Sequence, residues 1–265
     1  MIIRKLALAT SMAALLAFSA GAASAETVLN RGIGATIGTL DPQINFLAWE
    51  GWILDDAYEG LVANDAGGAV IPGAAEKWDI SDDGLTYTFH LRDGLKWSNG
   101  DALKAQDFVD GVIRTIDPAT ASDKAYIFTS TIRVAGAQDF VDGKSKDAKT
   151  VGISAPDDKT VVLKLAAPAP HALFVLGSFY APPLHKASLE KFGKDFIKPG
   201  NIVSNGAYIL TENVPQSHVT LEKNPNYWDA ANVKIDKVIY NPSEDQAATE
   251  RMFEAGELDV VYNFQ

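Results

Sequence analysis

Eight residues constrain the architecture of this chain more than any others. From Leu85 to Arg92 the side chains alternate without a break, with Leu85, Tyr87, Phe89 and Leu91 on one side and Thr86, Thr88, His90 and Arg92 on the other. A period of two with one apolar face is that of a half-buried strand. Turn-forming runs close it at both ends, Asp82-Asp83-Gly84 before and Asp93-Gly94 then Asn99-Gly100 after. At Ala105 the period changes: Ala105, Phe108, Val109, Val112, Ile113 and Ile116 fall at helical spacing and predict an amphipathic helix. Asp101 and Asp107 stand near its start, where carboxylates suit the positive end of the helix dipole, and Asp101 is the expected cap. Trp78 and Trp97 flank the strand as large apolar pins. No catalytic group stands out, so the stretch from Ala74 to Phe108 has the makeup of a scaffold.

Residues 1–25 carry the pattern of an export signal: Arg4 and Lys5, an apolar run from Leu6 to Phe18, then Ala23-Ser24-Ala25 as the small-residue cleavage site. A membrane helix is the alternative, but the run is short against the roughly 20 residues a span needs. The expectation is a mature chain that begins at Glu26, free in a periplasm. There is no Cys, hence no lipid-attachment cysteine, disulfide, thiolate nucleophile or Cys-ligated metal. Losing Arg4 and Lys5 from the 23 basic residues leaves all 34 acidic ones, which argues against nucleic acid or an anionic membrane as partner. Hydrophobic residues make up 47%, ample for a large core.

Further along, Thr27–Leu29, Val219–Leu221, Ile235–Tyr240 and Leu258–Tyr262 are expected strands, and Val151–Leu165 a hairpin turning at Ala155-Pro156-Asp157-Asp158. Val161, Leu163 and Leu165 are its inward face. Short helices are expected after Pro170 and from Lys186 to Phe192, and a longer one from Glu244 to Ala255, stopped by Gly256. That helix between two strands has the form of a parallel crossover. Phe140–Lys149 is polar and turn-rich, the composition of a surface loop.

Several chemistries fail on spacing. Gly32-Ile33-Gly34 lacks the third glycine of a dinucleotide fingerprint, and Gly143-Lys144-Ser145 lacks the first glycine of a phosphate loop. No Gly-x-Ser-x-Gly occurs, and His90, His171, His185 and His218 are scattered without metal spacing. The adjacent pairs Asp55-Asp56, Asp82-Asp83 and Asp157-Asp158 sit at turns or helix ends, where sequence neighbours do not oppose one another across a cleft as glycosidase carboxylates must. No catalytic residue, cofactor or metal is assigned.

The run Ala75-Glu76-Lys77-Trp78, Ser81 to Gly94, Lys96-Trp97-Ser98-Asn99-Gly100, Ala105 and Asp107-Phe108-Val109 resembles the signature of the family 5 solute-binding proteins. Leu40-Asp41-Pro42, Tyr58-Glu59-Gly60-Leu61, Asn205-Gly206-Ala207-Tyr208 and Asn224-Pro225-Asn226-Tyr227-Trp228-Asp229 extend the likeness over nearly all of 27–265, and Asp117-Pro118-Ala119-Thr120-Ala121-Ser122 is similar to the peptide-receptor branch. Lys104 departs from it, standing where the family usually has Thr or Ser.

The resemblance implies an α/β fold, the first lobe of a type II periplasmic-binding-protein architecture, with an inserted α+β domain and the second lobe missing from this chain. It places 26–58 and 184–265 in the first lobe and 59–183 in the insert. It implies a monomeric, non-enzymatic receptor that binds an extended peptide between two lobes and delivers it to an ABC permease in the inner membrane. Alternatives are a non-peptide solute (a nickel chelate, haem, an opine or an oligosaccharide) or a periplasmic hydrolase. By the same resemblance, the ligand backbone pairs with Asn45, Phe46, Leu47 and Ala48. Phe46 replaces an acid of the best-known oligopeptide receptors, and Lys124 replaces a tyrosine. The expectation is a pocket better suited to apolar or acidic ligands than to basic ones, with a Lys124 that merely points into water as the alternative.

Overall fold

The computed structural model describes residues 26–262, so the expected export signal lies outside the described residues. In chain order, β1 (Val28–Ile33) leads through an irregular segment into α1 (Ala48–Ala57). Next come β2 (Val62–Asn64), β3 (Val70–Pro72), β4 (Ala75–Ile80), β5 (Thr86–Leu91) and α2 (Ala105–Ile116). Then α3 (Ala137–Val141), β6 (Ile153–Asp157), β7 (Thr160–Lys164), α4 (Ala172–Leu176) and α5 (Lys186–Phe192). The rest is β8 (Tyr208–Val214), β9 (His218–Lys223), β10 (Lys237–Pro242), α6 (Gln246–Glu254) and β11 (Val260–Val261).

These strands make one mixed five-stranded sheet, ordered β11-β1-β10-β9-β8, a four-stranded antiparallel sheet, β4-β5-β7-β6, and a small β2-β3 pair. The alternating stretch becomes β5, an interior strand hydrogen-bonded to β4 on one edge and β7 on the other. Its Tyr87, Phe89 and Leu91 are buried and lie opposite Leu163, Val161 and Lys159–Thr160 of the neighbouring strand and turn. The apolar stripe of α2 packs onto β6 and β7. Gly111 on this helix has no room for a side chain: a Cβ there would stand 2.3 Å from the Pro182 carbonyl oxygen.

In the five-stranded sheet, β1 runs parallel to both β10 and β11. The expected crossover through α6 is therefore present, but β1 lies between its two strands. Gly256, with φ 76°, ends α6 as expected.

Three expectations need correcting, and two strands were not expected. The cap of α2 is not Asp101, whose carboxylate is taken by Asn99 Nδ2 and His185 Nε2. Instead Asp107, in the first turn, accepts the Lys104 backbone N–H at 2.8 Å and Trp97 Nε1 at 3.2 Å, half of a capping box. The hairpin turns later than expected, at Asp158-Lys159, so Ala155, Pro156 and Asp157 belong to β6. Pro156 is tolerated there because β6 is an edge strand. Phe140–Lys149 is more than a loop, because Phe140 is buried on α3. Finally, β4 and β8 carried too little alternation to be predicted; β8, in particular, is exposed along Glu212–Val214.

The family-like motifs meet at one junction between the two larger sheets. Glu59 accepts a hydrogen bond from the Tyr227 hydroxyl with one carboxylate oxygen and from Trp228 Nε1, at 2.7 Å, with the other. Its backbone exchanges two hydrogen bonds with the Asn205 side chain, at 2.8 and 3.1 Å. Arg92, at the end of β5, lays its guanidinium 3.7 Å over the Trp228 ring. Gly206 sits where a Cβ would come within 2.6 Å of the Ala57–Tyr58 backbone. Asn226 Nδ2 donates to the Ser98 carbonyl at 2.9 Å. At this junction, what makes the chain identifiable is structural.

Candidate functional site

The segment between β1 and α1 is built around three buried side chains. Asp41, with backbone bonds from Ile44 and Asn45 to its carbonyl, starts a turn. Its carboxylate is gripped by both Arg114 Nη atoms at 2.6 Å, and Arg114 Nη1 also donates to Gln43 Oε1 at 2.7 Å. Ser122 Oγ donates to the Gln43 carbonyl at 2.6 Å. Arg114 belongs to α2, so this turn is held by the same helix that covers the four-stranded sheet.

Lys124 completes the grip. Its side chain is 1% exposed, which overturns the alternative that it points into water. Nζ donates at 2.8 Å to the Pro42 carbonyl, to Asn45 Oδ1 and to the Phe179 carbonyl. All three donors of an ammonium are thereby used. Burial pushes its pKa down to about 7, opposed by the negative charges of Asp41, Asp55 and Glu50. Lys124 thus offers no free donor at the surface; it ties the 42–45 turn to the wall around Phe179.

Glu50 sets the last part of the segment. It is 2% exposed and occupies the third position of α1, where an acid is favoured by the free N–H groups of the first turn. One of its oxygens accepts from Gly38 and Thr39 N–H at 2.7 and 2.8 Å, the other from Phe46 and Leu47 N–H at 3.2 Å. Those four amides are therefore occupied. Leu47 is extended, with φ −82° and ψ 141°. Among the described residues, nothing bonds to the Phe46 carbonyl or to the Ala48 N–H. On an extended Leu47 these two groups face the same way, and together they are the half of a parallel β-bridge that receives one residue of an added strand.

Of the expected site residues, the structure brings Asn45 and Lys124 into direct contact, and leaves Phe46, 58% exposed, and Ala48 at the surface beside them. Asn45 itself is fully buried and supports the turn. Sequence reasoning missed Asp41, Arg114 and Glu50. Only Glu50 left a signal, as an acid three residues after the helix cap.

Beside this segment a cleft of about 350 Å³ opens between the C-terminal half of α1, β2 and residues 177–182. Leu54, Asp55, Glu59, Asn64, Ser178 and Phe179 are among the residues that line it. Asp55 is exposed at the end of the helix, as expected of a helix-end carboxylate. It makes no hydrogen bond or ion pair among the described residues, and partial desolvation, then the neighbouring Asp56, raise its pKa to about 7 against the pull of Lys124 and Arg31. Asp56 is different: it accepts from the Tyr240 hydroxyl at 2.6 Å and lies 3.7 Å from Arg31. No group of three or more His, Cys, Asp or Glu among the described residues could hold a metal.

This chain pairs a mixed α/β sheet unit with a second sheet unit and carries an unfilled strand edge beside a cleft, the features of an extracytoplasmic binding lobe. It belongs to the bacterial extracellular solute-binding proteins, family 5, whose middle-region model matches residues 69–265. The periplasmic oligopeptide-binding protein OppA of Escherichia coli K12 is 38% identical over 245 residues, 92% of this chain and 45% of that protein. The probable deoxycholate-binding periplasmic protein YgiS of the same organism is also 38% identical, over 85% of this chain and 42% of its own length. Among solved structures, Haemophilus influenzae OppA in complex with RPPGFSPFR superposes with a TM-score of 0.86 at 34% identity, covering 91% of this chain and 47% of that one. The chain thus spans less than half the length of these relatives.

Proposed function

We propose that this chain is the ligand-anchoring part of a periplasmic peptide receptor that serves an ABC importer, a binding protein and not an enzyme. One observation carries the proposal: the Phe46 carbonyl and the Ala48 N–H stand open on an extended residue whose other amides are saturated. Such an edge binds polypeptide backbone without reading side chains, which is what a carrier of varied peptides needs. The names of the OppA relatives and the peptide complex of one of them support the same reading. Around that edge, Asp41, Gln43, Glu50, Arg114 and Lys124 position the anchor and touch no ligand. The same likeness supports delivery to a membrane permease and residence in the periplasm.

The YgiS likeness is the specific observation in favour of a different solute. Native mass spectrometry of the full-length protein as purified separates the two. The expected result is a bound mass, or a spread of masses, that fragments as peptide. A single sterol-like, haem or metal-chelate mass would overturn the proposal.

A further inference from the structure

The cleft beside the anchor has a charge pattern that the anchor does not explain. Its lining contains the carboxylates of Asp55 and Glu59 and, among the described residues, no Lys, Arg or His. Glu59 is committed to Tyr227 and Trp228, whereas Asp55 has no hydrogen-bond or ion-pair partner among the described residues. The remaining wall mixes apolar side chains, Leu54, Val62, Phe179 and Pro182, with the neutral polar groups of Asn64 and Ser178. Phe179 packs against α1 where Gly51 leaves space, one helical turn before Asp55, so the ring and the carboxylate share a face of the helix. The backbone carbonyl of Phe179 is bound by Lys124, which also binds the anchor turn. Cleft wall and anchor are thus one rigid assembly.

We infer that this cleft receives a cationic side chain of the bound peptide, an ammonium or guanidinium on an aliphatic stem, with Asp55 as its counter-charge. The inference rests on the peptide reading above. The stem would lie along Leu54 and Phe179 while the head meets the open carboxylate. It reverses the preference expected from Phe46 and Lys124, because the Lys124 charge is sealed inside the protein and the charge that faces the cleft is negative.

The charged and titratable groups around Asp55 are Asp56, Tyr58 and Glu59 on its own helix and just beyond, Arg31 from β1, Tyr240 from β10, Tyr227, and Lys124 and Tyr180 from the facing segments. The two cations stabilise the ionised form but are each engaged elsewhere. With partial desolvation and the neighbouring Asp56 raising its pKa to about 7, Asp55 ionises as pH rises from 6 to 8. Attraction for a cation grows over that interval, and attraction for a neutral side chain does not.

The test is calorimetric titration of the full-length protein with alanine tripeptides that carry lysine, Nε-acetyl-lysine or norleucine at each position in turn, at pH 6 and pH 8. A parallel titration uses 1,4-diaminobutane alone. At one position and pH 8, lysine should bind about two- to fivefold tighter than either neutral analogue, the scale of an exposed charge pair. The ratio should shrink at pH 6 and fall to about one in Asp55→Asn. The acetyl-lysine comparison needs no mutation, so it holds whatever the variant does to folding. Tripeptides that bind with no lysine preference at any position, or a preference that survives Asp55→Asn, would overturn the inference while leaving the peptide reading intact. Diaminobutane binding through Asp55 without a lysine preference would overturn it in favour of free amines. If no tripeptide binds at all, the peptide reading fails and the inference fails with it.

Discussion

Two regions of this molecule are made of similar residues and finished differently. At the junction of the sheets, Glu59, Tyr227, Trp228, Arg92 and Asn205 satisfy one another. In the anchor and its cleft, an equally dense network under Asp41, Arg114, Lys124 and Glu50 ends in groups with no internal partner: the Phe46 carbonyl, the Ala48 N–H and the Asp55 carboxylate. The first region carries the family motifs, and the second is where we propose that a ligand is added. Saturation marks support, and open hydrogen-bonding groups held by saturated neighbours mark a site.

That contrast can be broken by mutation, most forcefully underneath the anchor. Arg114→Met leaves the Asp41 carboxylate buried without its bidentate partner and should cost about 3–5 kcal/mol of stability, measured by denaturant unfolding. A loss under 1 kcal/mol would mean the turn is not held as described. Lys124→Met strands the Pro42 and Phe179 carbonyls and Asn45 Oδ1, and should cost about 2–3 kcal/mol, with weaker peptide binding as the turn loosens.

Asp55→Asn should act in the opposite direction. A carboxylate whose folded pKa is raised is easier to ionise in the unfolded chain, so its burden on the fold is absent below pH 4 and grows as pH rises toward 7. The variant should therefore match the parent near pH 4 and exceed it by about 1 kcal/mol at pH 8, a figure reduced for the group's solvent exposure. Thermal melts across that range, without ligand, check the sign. A variant less stable than the parent at pH 8 would show that Asp55 has an internal partner.

The fold was legible where one period of side chains governed. Leu85–Arg92 and Ala105–Ile116 announced β5 and α2 because one face of each is buried. The strands β4 and β8 were silent because Glu76, Lys77, Glu212 and Asn213 leave much of their length to solvent. At the site, the stretch Asn45–Ala48 came from family resemblance alone. The partnership of Asp41 with Arg114 spans 73 positions and that of Asn45 with Lys124 spans 79, so no local pattern could reveal either. Lys124 was misjudged for the same reason: three acceptors from two distant segments paid for its burial. Asp55 is the exposed helix-end acid that its position suggests; that it lines a cleft depends on residues 177–182, far along the chain, and no local pattern shows it.

The most direct test of the account is Ala48→Pro in the full-length protein. Ala48 is the first residue of α1, where proline is well tolerated, and the residue before it is already extended, as a proline requires. The substitution removes one N–H and adds a ring where a ligand carbonyl would sit. The melting temperature should stay within about two degrees of the parent, since an exposed change with no mechanism of strain costs under about 0.5 kcal/mol. Peptide affinity measured by titration should fall at least about tenfold, a lost backbone hydrogen bond plus a steric clash. Unchanged peptide affinity in a well-folded Ala48→Pro protein would contradict it.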